Sequence, residues 1–506
     1  MLTASHLYQY ASCPRWPHNE FFGDPREKRG PSAFLQKLMA DGVQHEEAIY
    51  ADLGPARVAY TPGNYEEGFR ETVRLMRAGA DMIAQGVLLS GKRLGIADLL
   101  ERQPGQSALG DFTFEPIEIK TARSVKAVYR LQLAFYGHLL ADVLGDWPAR
   151  AHVILNDGTR ESFSLAEVRK PYERMLAELQ AIADGAGAPI HICSTCAECP
   201  WEYACLRRAE EARHVSLTYG LQRRVAASLR AQGVETLDAL SALAPEEVQN
   251  LTGVGVTVAN QLVVQARSLA GGQIVWQRGG EFEASETDLY FDIEGDPQHD
   301  AMYLFGVLVK PRDAAEHYHS FVAEDPSSEG RAFRELMEFL ESFPGVPIYH
   351  YHHYERSAVR TLCEKHRLDP LRAPGLLGRM RDLNRDLMSM VTLPVYSYSL
   401  KAVAKYLGYR WSHAEASAAQ SMFWYSSWLK SGDRQFLDWA VEYNADDCRA
   451  TRLLKEWLAA GPPAPARAPS PVAADAAAGA LVGGPRGSLR VGPGVMAGVR
   501  PARGNA

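Results

Sequence analysis

Residues 191–205 read HICSTCAECPWEYAC and hold four of the seven cysteines of the 506-residue chain. Cys13 is the only other cysteine in the first half of the sequence. Iron–sulfur and zinc sites are closed by four thiolates, and Cys196, Cys199 and Cys205 offer three at close spacing. A fourth thiolate from Cys13 would join the start of a domain to its end. The spacing therefore predicts a metal clasp that organises this part of the chain.

Other arrangements of these thiols are open at the level of sequence. The cysteines would form disulfides in a secreted protein or stay as buried free thiols, but no secretory signal precedes them. Within a clasp, Cys193 competes with Cys196 for one position, and the intervals of two and five residues favour Cys196. The bound centre is either a 4Fe–4S cluster or a structural Zn²⁺ ion.

Length and composition indicate an ordinary protein of about three globular domains. Hydrophobic residues make up 46% of the chain and charged residues 23%. The first residues lack an apolar run behind a basic start, and no stretch has the length of a membrane span, so we expect a cytoplasmic protein without a membrane partner. The net charge of −7 argues against a generally basic surface but allows a local basic groove.

Chemically useful side chains follow one another between residues 32 and 136. Residues 32–50 have apolar positions at helical spacing and contain His45. Asp98 lies within the apolar run LGIADLL, and the next predicted strand, FEPIEIKTA, carries Glu118 and Lys120. Side chains alternate along a strand, so Glu118 and Lys120 face the same side. With a carboxylate from the neighbouring strand, they suit metal-assisted hydrolysis.

Gln132 and Tyr136 come next, one turn apart on a predicted helix. The order of these motifs, with one cysteine before and three after, resembles the RecB-type PD-(D/E)xK nucleases. It is most similar to their branch with a four-cysteine iron–sulfur clasp, which includes CRISPR-associated and helicase-linked nucleases. The resemblance covers residues 1–210 and implies a restriction-endonuclease-like α/β domain.

The same resemblance implies a role for each matching residue. Lys120 would be the catalytic lysine, and Gln132 and Tyr136 would contact the substrate. The implied ligands of Mg²⁺ or Mn²⁺ are His45, Asp98 and Glu118. The implied ligands of the 4Fe–4S cluster are Cys13, Cys196, Cys199 and Cys205.

Residues 215–275 read as short helices separated by glycine turns, with Gly253 and Gly255 in the central LTGVGVTVA. Two glycines before a helix let backbone amides approach a phosphate closely. The segment resembles the helix-hairpin-helix module, a small all-α unit that grips the DNA backbone without reading its sequence. The alternative is a helical spacer with a glycine turn.

Residues 286–460 change to a strand-rich α/β pattern. The predicted strand DLYFDIEGD carries Asp292 and Glu294 on one face, so both can bind one cation. A second predicted strand, PIYHYHHY, leads to Glu355, and a late helix holds Tyr443 and Asp447. Two-cation cleavage of a phosphodiester requires a set of acids of this kind.

This arrangement resembles the ribonuclease H-like DEDD exonucleases, in the branch found with RecB-like domains. The resemblance implies that Tyr443 orients the attacking water and that four acids bind Mg²⁺ or Mn²⁺, namely Asp292, Glu294, Glu355 and Asp447. Many relatives carry Asp where this chain has Glu355. Other acids in the region are open to solvating or capping roles, namely Asp296, Asp382 and Asp446, although Asp382 is also found in this branch.

Residues 461–506 are rich in Pro, Ala and Gly and are predicted to be a disordered tail. The whole sequence therefore predicts an α/β multidomain, metal-dependent nuclease that processes DNA, as a single-strand or end-processing exonuclease in DNA repair, with a helicase as a candidate partner. The alternatives are a non-catalytic nucleic-acid-binding adaptor with decayed sites and an RNA exonuclease.

Overall fold

The computed structural model describes residues 1–297, 299–368, 372–413 and 417–462. Within these ranges the chain is a mixed α/β protein, and Met1–Gly461 make up one unit. None of the described helices is long and apolar enough to cross a membrane. The predicted tail, residues 461–506, lies outside the described residues from position 463 onward.

The N-terminal part is built on a sheet that has seven strands among the described residues. Its strands are β1 (Leu2–Thr3), β2 (Ala56–Arg57), β3 (Met82–Ser90), β4 (Arg93–Ser107), β5 (Gly110–Ile119), β6 (Arg150–Ile154) and β7 (Arg160–Ser164). They lie in the order β2-β3-β4-β5-β6-β7, with β1 beside β4 off this path. Strands β3, β4 and β5 are antiparallel, whereas β5 and β6 are parallel. Asp98 and Glu118 therefore lie on neighbouring strands.

Helices cover this sheet and continue past the cysteine-rich stretch. They are α1 (Ala4–Ser12), α2 (Arg15–Phe22), α3 (Ala33–Leu53), α4 (Tyr65–Arg77), α5 (Ala127–Leu144), α6 (Leu165–Ala183) and α7 (Glu202–Glu211). The helix predicted over 32–50 is confirmed as α3, which begins after Ser32, whose side chain accepts from the Leu35 amide. Helix α5 is apolar along most of its length because it packs in the core of this part of the chain.

The middle segment is helical, as predicted, and has its own core. Its helices are α8 (Arg223–Ala231), α9 (Leu237–Ala242), α10 (Pro245–Thr252) and α11 (Val256–Gly271). Gly253 ends α10 with φ of 71°, a left-handed conformation that favours glycine. The buried side chain of Gln265 joins this segment to the C-terminal part, since its Nε2 donates to the carbonyl of Leu393 at 2.9 Å and its Oε1 accepts from the Tyr398 hydroxyl at 3.0 Å.

The C-terminal part is built on a five-stranded sheet of the described residues, ordered β11-β10-β9-β12-β13, with a separate pair β14-β8. The strands are β8 (Val275–Trp276), β9 (Thr287–Asp296), β10 (Ala301–Pro311), β11 (His317–Val322), β12 (Ile348–His350), β13 (Met380–Asp382) and β14 (Val391–Thr392). Strands β9 to β11 are antiparallel, and β12 pairs in parallel with both β9 and β13. Alternation along β9 sends Tyr290 and Phe291 into different hydrophobic clusters.

The helices of this part are α12 (Glu329–Glu341), α13 (Tyr354–Lys365), α14 (Arg372–Arg379), α15 (Leu383–Met390), α16 (Leu400–Tyr406), α17 (Ala418–Ser431) and α18 (Arg434–Ala460). The strand predicted over PIYHYHHY is shorter than expected and covers only Ile348–His350. His352 takes a left-handed φ of 76°, and its amide donates to Asp382 Oδ1 at 2.8 Å. This tertiary bond lies where the chain leaves the sheet and enters α13.

Helix α3 of the N-terminal part contacts α17 of the C-terminal part. Lys430 Nζ lies 2.9 Å from Asp41 Oδ1, and a second ion pair joins Arg123 to Asp300 at 2.9 Å. Exposed ion pairs of this type add little stability. They do fix which faces of the two parts meet.

Candidate active site

Three carboxylates of the C-terminal part meet at one point. Asp292 and Glu294 lie on one face of β9, two residues apart, and Asp447 reaches them from α18. One oxygen from each lies within 4.8 Å of the others. Glu294 and Asp447 are buried, and Asp292 is partly exposed. The same-face geometry follows from strand alternation, but the approach of α18 is a tertiary feature.

Asn444 holds Asp292 by a hydrogen bond, and Gly306 leaves room for the Asn444 side chain. The Asn444 amide donates to Asp292 Oδ2 at 2.6 Å, while its own oxygen accepts from the Tyr318 hydroxyl at 2.8 Å. Gly306 lies directly opposite Asp292 in the pairing of β9 and β10. A Cβ at position 306 would meet Asn444 Oδ1 at 1.7 Å. Only glycine leaves space here for the Asn444 side chain.

Asp447 is held from the other side. Trp411 Nε1 donates to Asp447 Oδ1 at 2.7 Å, and the Tyr443 hydroxyl also donates to this carboxylate. The preceding acid fixes the loop that carries Trp411, because Asp446 accepts from the Ser412 amide at 2.7 Å. Asp446 therefore holds the Trp411 loop in place beside the three acids.

The electrostatics of this cluster disfavour three simultaneous negative charges. Burial, followed by repulsion from Asp447, raises the pKa of both Asp292 and Glu294 well above its usual range. Burial also raises the pKa of Asp447, to about 6, although the nearby Lys401 opposes this rise. The Lys401 ammonium lies 4.4 Å from the centre of the Tyr443 ring and acts electrostatically on all three acids.

This donor set fits a hard divalent cation. Carboxylate oxygens are the ligands that Mg²⁺ and Mn²⁺ take, and a cation between them would offset the repulsion that raises their pKa values. Among the described residues, these are the only three His, Cys, Asp or Glu side chains whose ligand atoms approach one another so closely.

Glu355, the fourth predicted acid, lies next to this cluster without joining the group of three. It is buried at the start of α13, and its Oε2 is 3.3 Å from His350 Nδ1. Its charge contributes to the raised pKa of Asp292. Asp382 instead caps α15, accepting from the Asn384 amide at 2.9 Å.

The comparison with known families can be set against this geometry. Residues 289–459 match the family model of the RNase_H superfamily. The match runs from β9 to α18 and includes the three acids. No curated protein matches the chain. The C-terminal part thus contains an RNase H-like domain, a type that generally hydrolyses phosphodiester bonds of nucleic acid with divalent metals.

A second group of polar side chains lies outside the RNase H-like domain, on β4, on β5 and at the position directly after β5. Lys120 Nζ lies 2.5 Å from Glu118 Oε1, as strand alternation predicts, and Asp98 Oδ2 accepts from the Ile119 amide at 2.7 Å. Burial and the charge of Glu118 raise the pKa of Asp98. Burial lowers the pKa of Lys120, but Glu118 and Asp98 outweigh it and raise that pKa overall. Glu118 Oε2 is buried without a hydrogen-bond partner among the described residues.

Helix α3 and strand β3 bring further groups to this second site. Burial raises the pKa of Glu46, and the charges of Lys120 and Glu118 also act on it. Gln85 donates to the Tyr50 hydroxyl at 2.8 Å and to Glu46 Oε2 at 3.4 Å. Gln85 has a left-handed φ of 52°, a strained conformation that often accompanies function.

The remaining residues predicted for this second site differ in position. Tyr136 is buried, and burial together with Glu118, Asp98 and Glu46 raises its pKa, so it lies near these acids. His45 has a buried Nε2 without a hydrogen-bond partner among the described residues, and it does not form a close ligand group with Asp98 and Glu118. Gln132 is partly buried on the same helix as Tyr136.

The cysteines surround a small pocket between the two ends of the N-terminal part. Four cysteines line it, namely Cys13, Cys196, Cys199 and Cys205. Arg15 and Asn19 are also part of the lining. Cys193 is not part of this lining, although its Sγ is 4.0 Å from Cys196 Sγ. Four thiols around one space form a donor set that suits a 4Fe–4S cluster or zinc.

Sequence reasoning missed several residues that touch these sites. Asn444 lies between Tyr443 and Asp447 on the predicted late helix, so its position in that helix was the available signal. The others come from distant elements, namely Lys401, Trp411, Glu46 and Gln85. Glu46 alone had a local signal, because it adjoins His45 on α3.

We predict that divalent cations stabilise the wild-type chain more than the Asp292→Asn variant, in which only the acid set of the N-terminal part is intact. The substitution is nearly isosteric and removes a repelling charge, so stability in EDTA should hold or rise. A cation at 100 times its Kd adds about 2.7 kcal/mol to the native state. Thermal unfolding with Mn²⁺ or EDTA measures this, with Asp313→Asn on the exposed loop after β10 as the charge-matched control. An equal Mn²⁺ effect in wild type and Asp292→Asn would contradict cation binding at Asp292.

We predict that Gly306→Ala destabilises the protein by about 1–3 kcal/mol, because the new methyl group must displace the Asn444 side chain. Gly375→Ala is the matched control, since its Cβ would meet open space within α14 and should be neutral or stabilising. Denaturant unfolding measures both variants. Equal stability of Gly306→Ala and wild type would remove the steric argument.

Proposed function

We propose that this chain is a metal-dependent exonuclease that processes DNA. The convergence of Asp292, Glu294 and Asp447 within the part that matches the RNase_H superfamily carries this proposal. A decayed, non-catalytic adaptor would have no reason to keep three mutually repelling carboxylates together, since like charges in a buried site oppose folding.

In this proposal the chain's own residues prepare the site for phosphodiester hydrolysis. Divalent cations held by Asp292, Glu294, Asp447 and, from the edge, Glu355 would activate water and stabilise the leaving oxygen. Asn444 and Trp411 fix the orientation of the carboxylates. Tyr443 donates to Asp447, and in this proposal it would orient the attacking water.

The middle segment supports DNA as the substrate. The turn between α10 and α11 is open, since added Cβ atoms at Gly253 and Gly255 would meet nothing within 4 Å. Val256 and Val258 are exposed beside this turn at the start of α11. Backbone amides at such a helix N-terminus suit a DNA phosphate, as in the helix-hairpin-helix modules that this segment resembles.

We also propose that the N-terminal part is a second, RecB-like nuclease site. Asp98 and Glu118 would bind Mg²⁺ or Mn²⁺, with His45 and the newly found Glu46 nearby, and Lys120 would act on the attacking water. The contact of Lys120 with Glu118 supports this role. Gln132 and Tyr136 stay predicted contacts of the substrate, and a helicase partner and a cytoplasmic location also stay predictions.

Finally, we propose that Cys13, Cys196, Cys199 and Cys205 hold a 4Fe–4S cluster, with zinc as the alternative. The common pocket of these four thiols supports this set over one containing Cys193. Cys13 follows α1, Cys196 and Cys199 precede α7, and Cys205 lies within α7, so the centre would tie the two ends of the N-terminal part together.

The activity prediction uses single and double variants of the full chain. Asp292→Asn should lose exonuclease activity, by about a hundredfold or more, and Lys120→Ala should lose only cleavage by the N-terminal site, by a similar factor. The double variant should be inactive. The assay follows end-labelled single-stranded DNA, double-stranded DNA and RNA with Mg²⁺ or Mn²⁺.

Lys92→Ala and Asp313→Asn serve as controls, since both residues are exposed and lie outside the two sites. Wild-type protein that leaves every substrate uncut would contradict the nuclease proposal. Cleavage of RNA alone would contradict the proposal of a DNA exonuclease and indicate an RNA exonuclease.

The clasp prediction concerns metal content. Anaerobically purified protein should be brown and contain iron, and Cys13→Ser should lose both colour and stability. Cys193→Ser is the matched control and should keep the iron. Stoichiometric zinc without visible absorbance would keep the clasp and reject the cluster, and loss of metal in Cys193→Ser but not in a Cys196→Ser variant would reverse the choice between them.

A further inference from the structure

A basic cavity of about 730 Å³ opens beside the RNase H-like acids, between β12, β13, α13 and α15. We call it the arginine pocket. Its basic lining consists of Arg278, His350, His353, Arg356, Arg381 and Arg385. The acids that also line it are already engaged, because Asp382 accepts backbone amides and Asp386 pairs with Arg381 at 2.6 Å. The lining is positive overall because its four arginines outnumber these two aspartates.

Two guanidinium groups of the arginine pocket are available to a ligand. Arg356 and Arg385 are exposed, and neither side chain has an ion-pair or hydrogen-bond partner among the residues that the structure describes. Arg356 and His353 also stand at the N-terminal end of α13, a 12-residue helix whose dipole adds positive potential there. Guanidinium groups bind phosphate oxygens in pairs, so this lining suits a phosphate.

His350 provides an independent sign of a ligand. It lines the arginine pocket yet is only 1% exposed; its Nδ1 faces Glu355, and its Nε2 lacks a hydrogen-bond partner among the described residues. Buried polar groups are normally hydrogen-bonded, because an unpaired one costs free energy. An oxyanion in the pocket would give this ring a partner.

The arginine pocket is also adjacent to the reaction centre. His350 Nδ1 lies 3.3 Å from Glu355, whose charge acts on Asp292. A strand with one phosphodiester at the acids would therefore bring a neighbouring phosphate towards this pocket. The left-handed His352, held by Asp382, shapes this edge of the pocket.

We propose that the arginine pocket binds a phosphate of the nucleic-acid strand next to the one held at the acids of the RNase H-like domain. This inference rests on the proposed function of that domain and adds to it the subsite that positions the strand. Its ligand is a phosphate group, either within the strand or at its end.

Binding to a catalytically disabled full chain tests this proposal apart from cleavage. In a background of Asp292→Asn and Lys120→Ala, with EDTA, we compare Arg356→Ala/Arg385→Ala with the control Arg334→Ala/Arg360→Ala. The control removes the same charge from exposed faces of α12 and α13 that do not line the pocket. The probe is a fluorescent single-stranded DNA with or without a 5′-phosphate or 3′-phosphate.

The pocket variant should bind at least about tenfold more weakly than the control. The slope of log K against log salt should fall by about 0.7 for each lost phosphate contact on a single strand. A loss with every probe indicates an internal phosphate, and a loss confined to one phosphorylated end indicates a terminal phosphate. Equal binding by the two variants would overturn the proposal.

The two proposals fail in distinguishable ways. Wild-type protein that cuts no nucleic acid, while the pocket variant still binds less tightly than its control, would reject the exonuclease and keep the phosphate site. Wild-type cleavage together with equal binding by the two arginine variants would reject the phosphate site and keep the exonuclease.

Discussion

Repulsion among the carboxylates of Asp292, Glu294 and Asp447 is the constraint on which the C-terminal part depends. Three acids within 4.8 Å oppose folding unless neighbours compensate for them. The surrounding residues do so with amide, indole and hydroxyl donors and with the nearby charge of Lys401. The packing of α18 against β9 and β10 thus serves the charge balance as well as the hydrophobic core.

The N-terminal part meets a similar constraint with a similar solution. Asp98 and Glu118 stand on neighbouring antiparallel strands, and Lys120 supplies the opposing charge from the position directly after β5. In the C-terminal part the lysine comes from α16 instead. In both parts, a strand that places alternate side chains on one face provides the rigid base, and a helix contributes a further carboxylate.

The sequence predicts those features that depend on interactions between residues close together in the chain, and it misses those that depend on long-range contacts. Strand alternation was enough to predict that Glu118 and Lys120 share a face, and that Asp292 and Glu294 do. Helical periodicity likewise predicted α3. The over-long strand at PIYHYHHY was wrong because the bond from the His352 amide to Asp382 joins residues far apart in sequence, at the point where β13 pairs with β12. Lys401 and Trp411 were missed for the same reason, since only the folded chain brings them to Asp447.

The buried Gln265 side chain has a consequence for how a bound strand would travel. Its bonds to Leu393 and Tyr398, with the tilted contact of the Tyr219 and Tyr398 rings at 4.7 Å between centroids, hold the middle helices against the C-terminal part. The glycine turn before α11 and the acids on β9 are therefore set at a fixed separation. A strand bound at that turn would reach the acids after a constant number of nucleotides. The distance between the two sites would therefore set the length of strand that spans them.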